Sequence, residues 1–161
     1  AIAIAETIGG SEEGFAKLMN EKAAALGATH SHFVTPHGLH EDDHYTTVYD
    51  MYLIFSNAIK NDTFVSIIGT TSYDVTYTDA SGEAVTHTWE NTNQYLTGNA
   101  TTPDGFQIVG GKTGTTGEAG YCLVLYSYNP SGQPIISIVF KADGKSNLYL
   151  LMNEMLQGFA I

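Results

Sequence analysis

The chain of 161 residues has the size of a single domain that can bury a hydrophobic core. Its composition, 43% hydrophobic and 14% charged, excludes an intrinsically disordered chain. The net charge of −11, with no arginine, repels phosphate backbones and argues against nucleic acid as a partner. No apolar run approaches the roughly 18 residues of a membrane-spanning helix. The single cysteine, Cys122, cannot form an intramolecular disulfide and is predicted to be a buried core thiol.

Amphipathic helices are predicted in the first half of the chain. Residues 1–5 follow an apolar helical pattern, so we expect the sequence to begin inside an element. Ser11 is a suitable N-cap for a helix that Gly27 ends, and a polar loop follows over residues 28–45. Thr46 or Thr47 caps the next helix, and Asp62 caps a short one. The apolar faces of these helices are Phe15, Leu18, Met19 and Leu26, then Val48, Met51, Tyr52, Phe55 and Ile59, then Phe64, Ile67 and Ile68.

The second half of the chain changes to strand patterns. Period-two alternation on either side of residues 80–82 predicts a β-hairpin, followed by a turn or short helix over 91–96. Three strands are predicted over 107–113, 120–128 and 134–141. A last helix begins near Lys145, and its apolar side is Leu148, Leu151, Met152, Met155 and Leu156. The order predicts one α+β domain over 1–161, with an antiparallel meander packed by helices.

A Lys112-Thr113-Gly114 triplet ends the first of the three strands. An ammonium beside a hydroxyl can bind a carboxylate, and a glycine lets a substrate backbone approach closely. K-T-G accompanies S-x-x-K and S-D-N in penicillin-binding proteins and class A β-lactamases with an active-site serine. Three residues alone do not distinguish such a site from a glycine-rich surface turn.

Other segments supply the context for this triplet. Residues 15–27 fit F-x-x-x-M-N-x-x-A-x-x-L-G, and 33–39 fit F-x-N-P-x-G-L with Thr35 in place of asparagine. Residues 46–51 fit an S-T-A-x-D-M helix start, and 112–121 fit K-T-G-x-T-x-x-A-G-Y. With these motifs in this order, nearly the whole chain resembles the serine-type D-alanyl-D-alanine carboxypeptidases, the low-molecular-weight penicillin-binding proteins.

The resemblance implies the β-lactamase/transpeptidase-like fold, an antiparallel sheet of about five strands between helices. In that fold two N-terminal strands pair beside the last C-terminal strand, and this sequence does not contain them. We therefore expect the C-terminal portion of a catalytic domain, with a bare edge on the strand from Ile135 to Phe140. The N-terminal part of the domain, or a second copy of the chain, would cover that edge.

The nucleophile motif is absent from the sequence. None of the six lysines has a serine three residues before it, so there is no S-x-x-K. The only S-x-N, at 127–129, comes after the K-T-G triplet at the end of a strand, and its position marks it as a chance match. The resemblance places both functional motifs before residue 1, so this chain is expected to be inactive by itself.

The resemblance also implies an activity for the intact enzyme. A serine attacks the bond between the terminal D-alanines of a peptidoglycan stem peptide, and water then hydrolyses the acyl-enzyme. Penicillins mimic this terminus and acylate the same serine. No cofactor is implied, and the substrate implies a place at the cell wall, outside the cytoplasmic membrane, after removal of a signal peptide that this sequence lacks.

The site residues follow from the same resemblance. Lys112, Thr113 and Gly114 are assigned to catalysis. Lys112 supplies positive charge to the substrate carboxylate and to proton movement, and Thr113 is the hydrogen-bond donor to that carboxylate. The N–H of Thr115 is assigned to the oxyanion hole. Thr116, Lys141 and Lys145 complete the predicted substrate-binding set.

One departure from the family pattern affects the carboxylate site. Many relatives carry an arginine between two asparagines, where this chain has Asn91-Thr92-Asn93. Many relatives also carry a second cation near the end of the last strand. Lys141 or Lys145 is the candidate for this second carboxylate partner, although an ammonium is a poorer bidentate clamp than a guanidinium. The preference for particular wall peptides is therefore left open.

A histidine-rich stretch offers a competing interpretation. The five histidines His30, His32, His37, His40 and His44 include H-x-H and H-x-x-H spacings that suit zinc or nickel. No cysteine accompanies them, and several lie in or beside the P-x-G-L loop. Solvated or capping histidines are therefore the prediction, and no metal is assigned.

Two alternative functions remain. A β-lactamase-like serine hydrolase fits K-T-G, but the M-N-x-x-A helix and the P-x-G-L loop argue against it. A non-catalytic wall-binding module of the same fold stays open, because the residues that would distinguish it from an enzyme lie outside this sequence.

Overall fold

The structure is a computed structural model and describes residues 1–160. Its elements, in chain order, are α1 (Ile2–Gly9), α2 (Glu12–Ala25), α3 (Val48–Ala58), α4 (Asp62–Gly69), β1 (Ser72–Thr78), β2 (Ala84–Glu90), α5 (Gln94–Thr97), β3 (Gln107–Thr116), β4 (Gly120–Tyr128), β5 (Pro134–Ala142) and α6 (Lys145–Gly158). This order confirms the predicted α+β class, and β3 continues three residues beyond its predicted end. Within residues 1–160 no helix combines the length and the apolar character needed to cross a bilayer.

Side-chain caps fix where the helices begin. Ser11 Oγ accepts the Gly14 N–H at 3.0 Å to start α2, and Thr47 Oγ1 accepts the Asp50 N–H at 3.1 Å to start α3. Asp62 was predicted to cap α4, and that was wrong. Asn61 is the cap, through a 3.2 Å bond from Phe64 N–H to its Oδ1, and Asp62 lies in the first turn. A carboxylate is favourable there because it faces the positive end of the helix dipole.

The strands form two separate sheets. β1 and β2 pair as the predicted hairpin, and β3, β4 and β5 form an antiparallel meander in that spatial order. Both β3 and β5 are therefore edge strands, with no further strand beside them among residues 1–160. The bare edge expected on β5 is confirmed.

Helices cover both faces of the meander. Leu123 and Leu125 of β4 pack on α6, where Met152 and Leu156 are fully buried. On the other face Val124 packs with Phe55 of α3 and Ile68 of α4. Alternation along β4 sends its side chains into two cores, so the three strands act as the middle layer of a helix–sheet–helix sandwich.

Several predicted core positions are exposed. Leu18, Val48, Tyr52, Ile67 and Leu151 were assigned to apolar faces and are 42–66% exposed. They lie on sides of α2, α3, α4 and α6 that no other described element covers. Tyr149, left out of the predicted face of α6, is buried together with Leu148 and Met152.

The closest approach between layers is made through glycines. A Cβ on Gly110 of β3 would lie 2.5 Å from the Ile68 carbonyl oxygen, and one on Gly69 of α4 would lie 2.6 Å from that of Val109. Real Cβ atoms do not approach backbone so closely. The absence of side chains at these two positions is what allows the end of α4 to rest directly on the backbone of β3.

A buried carboxylate ties the histidine-bearing loop to α3. Asp50 is 1% exposed, and its Oδ2 accepts the Ser31 hydroxyl and the His30 N–H, both at 2.7 Å. These bonds, that of Ser31 first, hold the pKa of Asp50 below its ordinary value. The charged form of Asp50 therefore stabilises the fold.

Replacement of Gly110 by alanine tests the contact between layers. We expect Gly110→Ala to lower the free energy of unfolding by roughly 3 kcal/mol, the upper end for overpacked cores, because the added methyl meets backbone that cannot rotate away. Urea unfolding followed by circular dichroism measures the change. Gly117→Ala is the control, since a Cβ there meets nothing within 4 Å. Equal losses for the two variants would contradict the tight contact.

The Asp50 carboxylate predicts a pH dependence of stability. Because its pKa is lowered in the folded state, its contribution is complete above the unfolded pKa of about 4 and is lost as the pH falls through the folded pKa. Asp50→Asn should therefore be less stable than the unsubstituted chain at pH 7, and the two should converge as the pH falls below about 4. Urea unfolding at several pH values across this range measures the difference in unfolding free energy between the two proteins. Asp104→Asn, at an exposed position, is the control. A stability difference that does not change with pH would contradict the stabilising role of the Asp50 carboxylate.

Candidate active site

The K-T-G triplet lies near the end of the edge strand β3. Lys112, Thr113 and Gly114 pair with Val124, Leu123 and Cys122 of β4. Successive side chains of a strand point to opposite faces, so Thr113 and Thr115 face α6, and Lys112 faces α3 and α4. Lys112 is exposed, and its Nζ donates to the Thr113 carbonyl oxygen at 2.6 Å.

A cavity of about 160 Å³ lies on the α6 side of this strand. Its lining is Thr92, Thr113, Thr115, Tyr121, Lys145, Leu148 and Tyr149. Within the described residues, Lys145 provides the one cationic side chain of this lining. We call this cavity the carboxylate corner, because three threonines and an ammonium offer the donors that an anionic group binds. The structure thus brings together three predicted site residues, Thr113, Thr115 and Lys145.

Lys141 and Thr116 lie in a different recess. This second space, about 610 Å³, opens at the β3–β4 turn and is also lined by Thr115, Glu118 and Asp143. Lys141 and Lys145 were interchangeable candidates in the sequence, and the structure separates them. Only Lys145 lines the carboxylate corner within residues 1–160.

Backbone geometry at the end of β5 sets the position of Lys141. Its φ of 59° is in the left-handed region, which costs a residue with a Cβ about 1–2 kcal/mol. The register shifts opposite it, between Tyr121 and Leu123, and Cys122 Sγ accepts the Lys141 N–H at 3.5 Å. Cys122, predicted to be a core thiol, is only partly buried because it lies at this bulge near the end of the sheet.

An apolar groove of about 530 Å³ lies on the opposite face, beside Lys112 and Gly114. Its walls come from α3, α4 and the sheet, including Phe55, Ile68 and Phe140. The ammonium and the hydroxyl of the triplet therefore point to opposite faces of β3: Lys112 borders the apolar groove, and Thr113, which is at the rim of both spaces, also lines the carboxylate corner.

The segment before α5 forms one wall of the carboxylate corner, and the sequence did not reveal it. Thr92 Oγ1 is 2.5 Å from Thr113 Oγ1, and Tyr149 Oη accepts the Gln94 N–H at 2.8 Å. Burial raises the pKa of Tyr149, which keeps its hydroxyl protonated. The only sequence signal for Thr92 was its place between two asparagines.

The histidines pair with carboxylates and backbone in the described structure. His32 lies 3.3 Å from Asp43, and His40 bridges Asp42 at 3.5 Å and Glu118 at 3.9 Å. His44 Nδ1 accepts the Val34 N–H at 3.1 Å, and burial, the largest cause, lowers its pKa. Over residues 1–160 no three histidine, cysteine or acidic side chains are grouped so as to hold a metal.

Comparison with known proteins identifies the family of this chain. The family model for D-alanyl-D-alanine carboxypeptidases, peptidase S11, matches residues 1–144. The D-alanyl-D-alanine carboxypeptidase DacF of Bacillus subtilis is 35% identical over 157 residues, 97% of this chain and 37% of that protein. A D-alanyl-D-alanine carboxypeptidase of Streptomyces K15 is 30% identical and is matched over 56% of its length.

Solved structures agree with these matches. The Streptomyces K15 DD-transpeptidase superposes with a TM-score of 0.79 at 31% identity, over 92% of this chain and 55% of that one. The chain thus spans from about a third to somewhat over half of these relatives. Its fold is that of the penicillin-binding and transpeptidase proteins, and the chain belongs to the D-alanyl-D-alanine carboxypeptidase family.

Proposed function

We propose that this chain provides the carboxylate-binding part of a serine-type D-alanyl-D-alanine carboxypeptidase that acts on peptidoglycan stem peptides. The observation that carries this proposal is the carboxylate corner, where Thr113 of the K-T-G triplet, Thr115 and Lys145 meet at the edge of β3. In this proposal residues 1–161 form the C-terminal portion of one catalytic domain. The family match and the partial coverage of the relatives support that view.

The reaction is an acyl transfer in two steps. A serine oxygen, deprotonated by a neighbouring lysine, bonds to the carbonyl carbon of the penultimate D-alanine, and the peptide bond breaks. D-alanine leaves with the proton on its amine, and water then hydrolyses the ester to release the shortened peptide. We place this serine and lysine N-terminal to residue 1, because the sequence contains no S-x-x-K.

The residues of this chain hold the substrate for that attack. Thr113 and Lys145 bind the terminal carboxylate, and the Thr115 N–H donates to the oxyanion that forms on the attacked carbonyl. Gly114 leaves room for the substrate backbone. Lys112, on the groove side of β3, supplies positive charge where the proton moves. Lys141 and Thr116, in the separate recess, contact substrate outside the corner.

The apolar groove supports the placement of the nucleophile. It is open, nearly free of polar lining and borders Lys112 directly, so a polypeptide packed there would meet the K-T-G triplet. We assign the groove to the N-terminal part of the domain. Strands of that part, or a second copy of this chain, would cover the edge of β5.

The proposed substrate also predicts where the enzyme is located and how it reacts with β-lactams. Peptidoglycan lies outside the cytoplasmic membrane, so we place the enzyme at the cell wall. A β-lactam that mimics the D-alanyl terminus should acylate the same serine. The family relatives, named for D-alanyl-D-alanine chemistry, favour this function over a β-lactamase-like hydrolase.

A non-catalytic wall-binding module is the second candidate. The carboxylate corner is the observation that supports it, because this cavity can bind a terminal carboxylate without any nucleophile. Such a module would keep the carboxylate corner and bind D-alanyl termini without cleaving them.

Intact-mass spectrometry after incubation with a reactive penicillin separates the two candidates. We expect no adduct on the 161-residue chain, and one penicilloyl adduct on the protein extended N-terminally as its gene encodes. Acylation of the short chain at a single residue would show that the nucleophile lies within it. No adduct on either protein would favour the wall-binding module.

The rate of that acylation tests the role of Thr113. In the extended protein, Thr113→Val should slow acylation about 100-fold, because it removes a donor aimed at the reacting ligand and keeps the side-chain shape. Stopped samples analysed by mass spectrometry give the rate. Thr63→Val, at an exposed position on α4, is the matched control and should leave the rate unchanged. Equal rates for both variants would remove Thr113 from the site.

A further inference from the structure

We propose that Thr92 is a specificity-determining residue of the carboxylate corner. Its hydroxyl donates to the hydroxyl of Thr113, which frees the Thr113 proton to bind a substrate carboxylate. This inference rests on the proposed function and identifies a residue that the K-T-G motif does not include.

The hydroxyls of Thr92 and Thr113 share a hydrogen bond and have one proton each. Thr92 Oγ1 and Thr113 Oγ1 are 2.5 Å apart, so one donates and the other accepts. In the bound state that we propose, Thr113 gives its proton to the carboxylate, which can only accept, and takes one from Thr92. The bound state is then a chain from Thr92 to Thr113 to the carboxylate, in which each bond polarises the next.

The backbone on both sides of Thr92 is fixed by hydrogen bonds. Asn91 N–H donates to the Thr71 carbonyl and Asn91 Nδ2 to the Thr70 carbonyl, both at 2.8 Å. Asn93, 0% exposed, donates its N–H to Asn91 Oδ1 at 2.9 Å.

Beyond Thr92, Gln94 N–H donates to Tyr149 Oη at 2.8 Å. Thr92 is therefore held between anchors to the residues after α4 and to α6. Because the backbone around Thr92 is already fixed, little conformational entropy is lost when its hydroxyl bonds to that of Thr113.

The charge of the corner indicates which ligand it selects. Its described lining offers one ammonium, Lys145, together with the linked hydroxyls of Thr92 and Thr113 and the hydroxyl of Thr115. This set matches a single terminal carboxylate. A C-terminal amide is neutral and does not gain a charge-assisted bond from Thr113. Thr92 thus increases the preference for a free C-terminus over an amidated one.

A titration of the 161-residue chain tests this inference without the nucleophile. The probes are N-acetyl-D-alanyl-D-alanine and its C-terminal amide, followed through the backbone amide NMR signals of Thr113, Gly114 and Thr115. Thr92→Val keeps the β-branched shape and removes the donor. We expect it to weaken binding of the acid about 3- to 10-fold, the effect of one hydrogen bond, and to leave binding of the amide unchanged.

Two further variants serve as controls. Thr92→Ser retains the hydroxyl and should bind the acid within about twofold of the unsubstituted chain. Thr86→Val breaks a comparable pair of threonine hydroxyls, 2.9 Å apart on the hairpin, and should change nothing.

Each outcome has a distinct meaning. Equal weakening by Thr92→Val and Thr92→Ser would show that shape is what matters and would overturn the donor role. Unchanged binding in Thr92→Val would overturn the inference and leave the carboxylate corner intact. If the unsubstituted chain shows no carboxylate-dependent shifts at Thr113 to Thr115, the carboxylate site itself fails, and the inference fails with it.

Discussion

The contact between Gly69 of α4 and Gly110 of β3 is the constraint on which the site depends. It lets two backbones meet without intervening side chains, and so brings Ile68 and Phe55 onto Val124. The residues that follow α4, Thr70 and Thr71, then lie where Asn91 can donate to their carbonyls. Thr92 is positioned by those bonds. A packing contact between two glycines therefore determines where a hydroxyl lies in the carboxylate corner, on the opposite side of the sheet.

The alternation of β3 divides the chemistry of the K-T-G triplet between two surfaces. Lys112 borders an apolar groove, and its ammonium is exposed at the edge of that groove. Thr113 and Thr115 line a small polar cavity closed by α6 and by the segment before α5. A single strand thus presents an ammonium to one side and hydroxyls to the other, because neighbouring side chains of a strand point in opposite directions.

The features that depend on local patterns and motifs were predicted from the sequence. The α+β order, the hairpin, the meander and the place of K-T-G on the first strand of that meander were all predicted, since periodicity and turn residues act over short distances. The Asn61 cap was missed because two adjacent residues, Asn61 and Asp62, are both good caps. The exposure of Leu18 and Ile67 could not be foreseen, because an apolar face shows what a helix can bury and not what covers it.

Parts of the candidate site that depend on tertiary geometry were beyond prediction. Thr92 and Thr113 are 21 residues apart, and their contact requires the fold that joins α4, the segment before α5 and β3. Lys141 and Lys145 are four residues apart and equivalent in sequence, but a bulge and a left-handed residue send them to different cavities. The K-T-G motif identified the strand that carries the candidate site. The opposite wall of the carboxylate corner, formed by the segment before α5, is set by tertiary packing.

The two open edges of the meander differ in their tendency to aggregate. An edge that admits a peptide must leave its backbone groups unpaired, which invites pairing with the same edge of another molecule. On β3 the residues of the site oppose this, because Lys112 carries an exposed charge and Gly114 has low strand propensity. β5 has no charged residue from Ile135 to Phe140. The β3 edge is thus protected against self-pairing by its own residues, and β5 is the edge that depends on being covered.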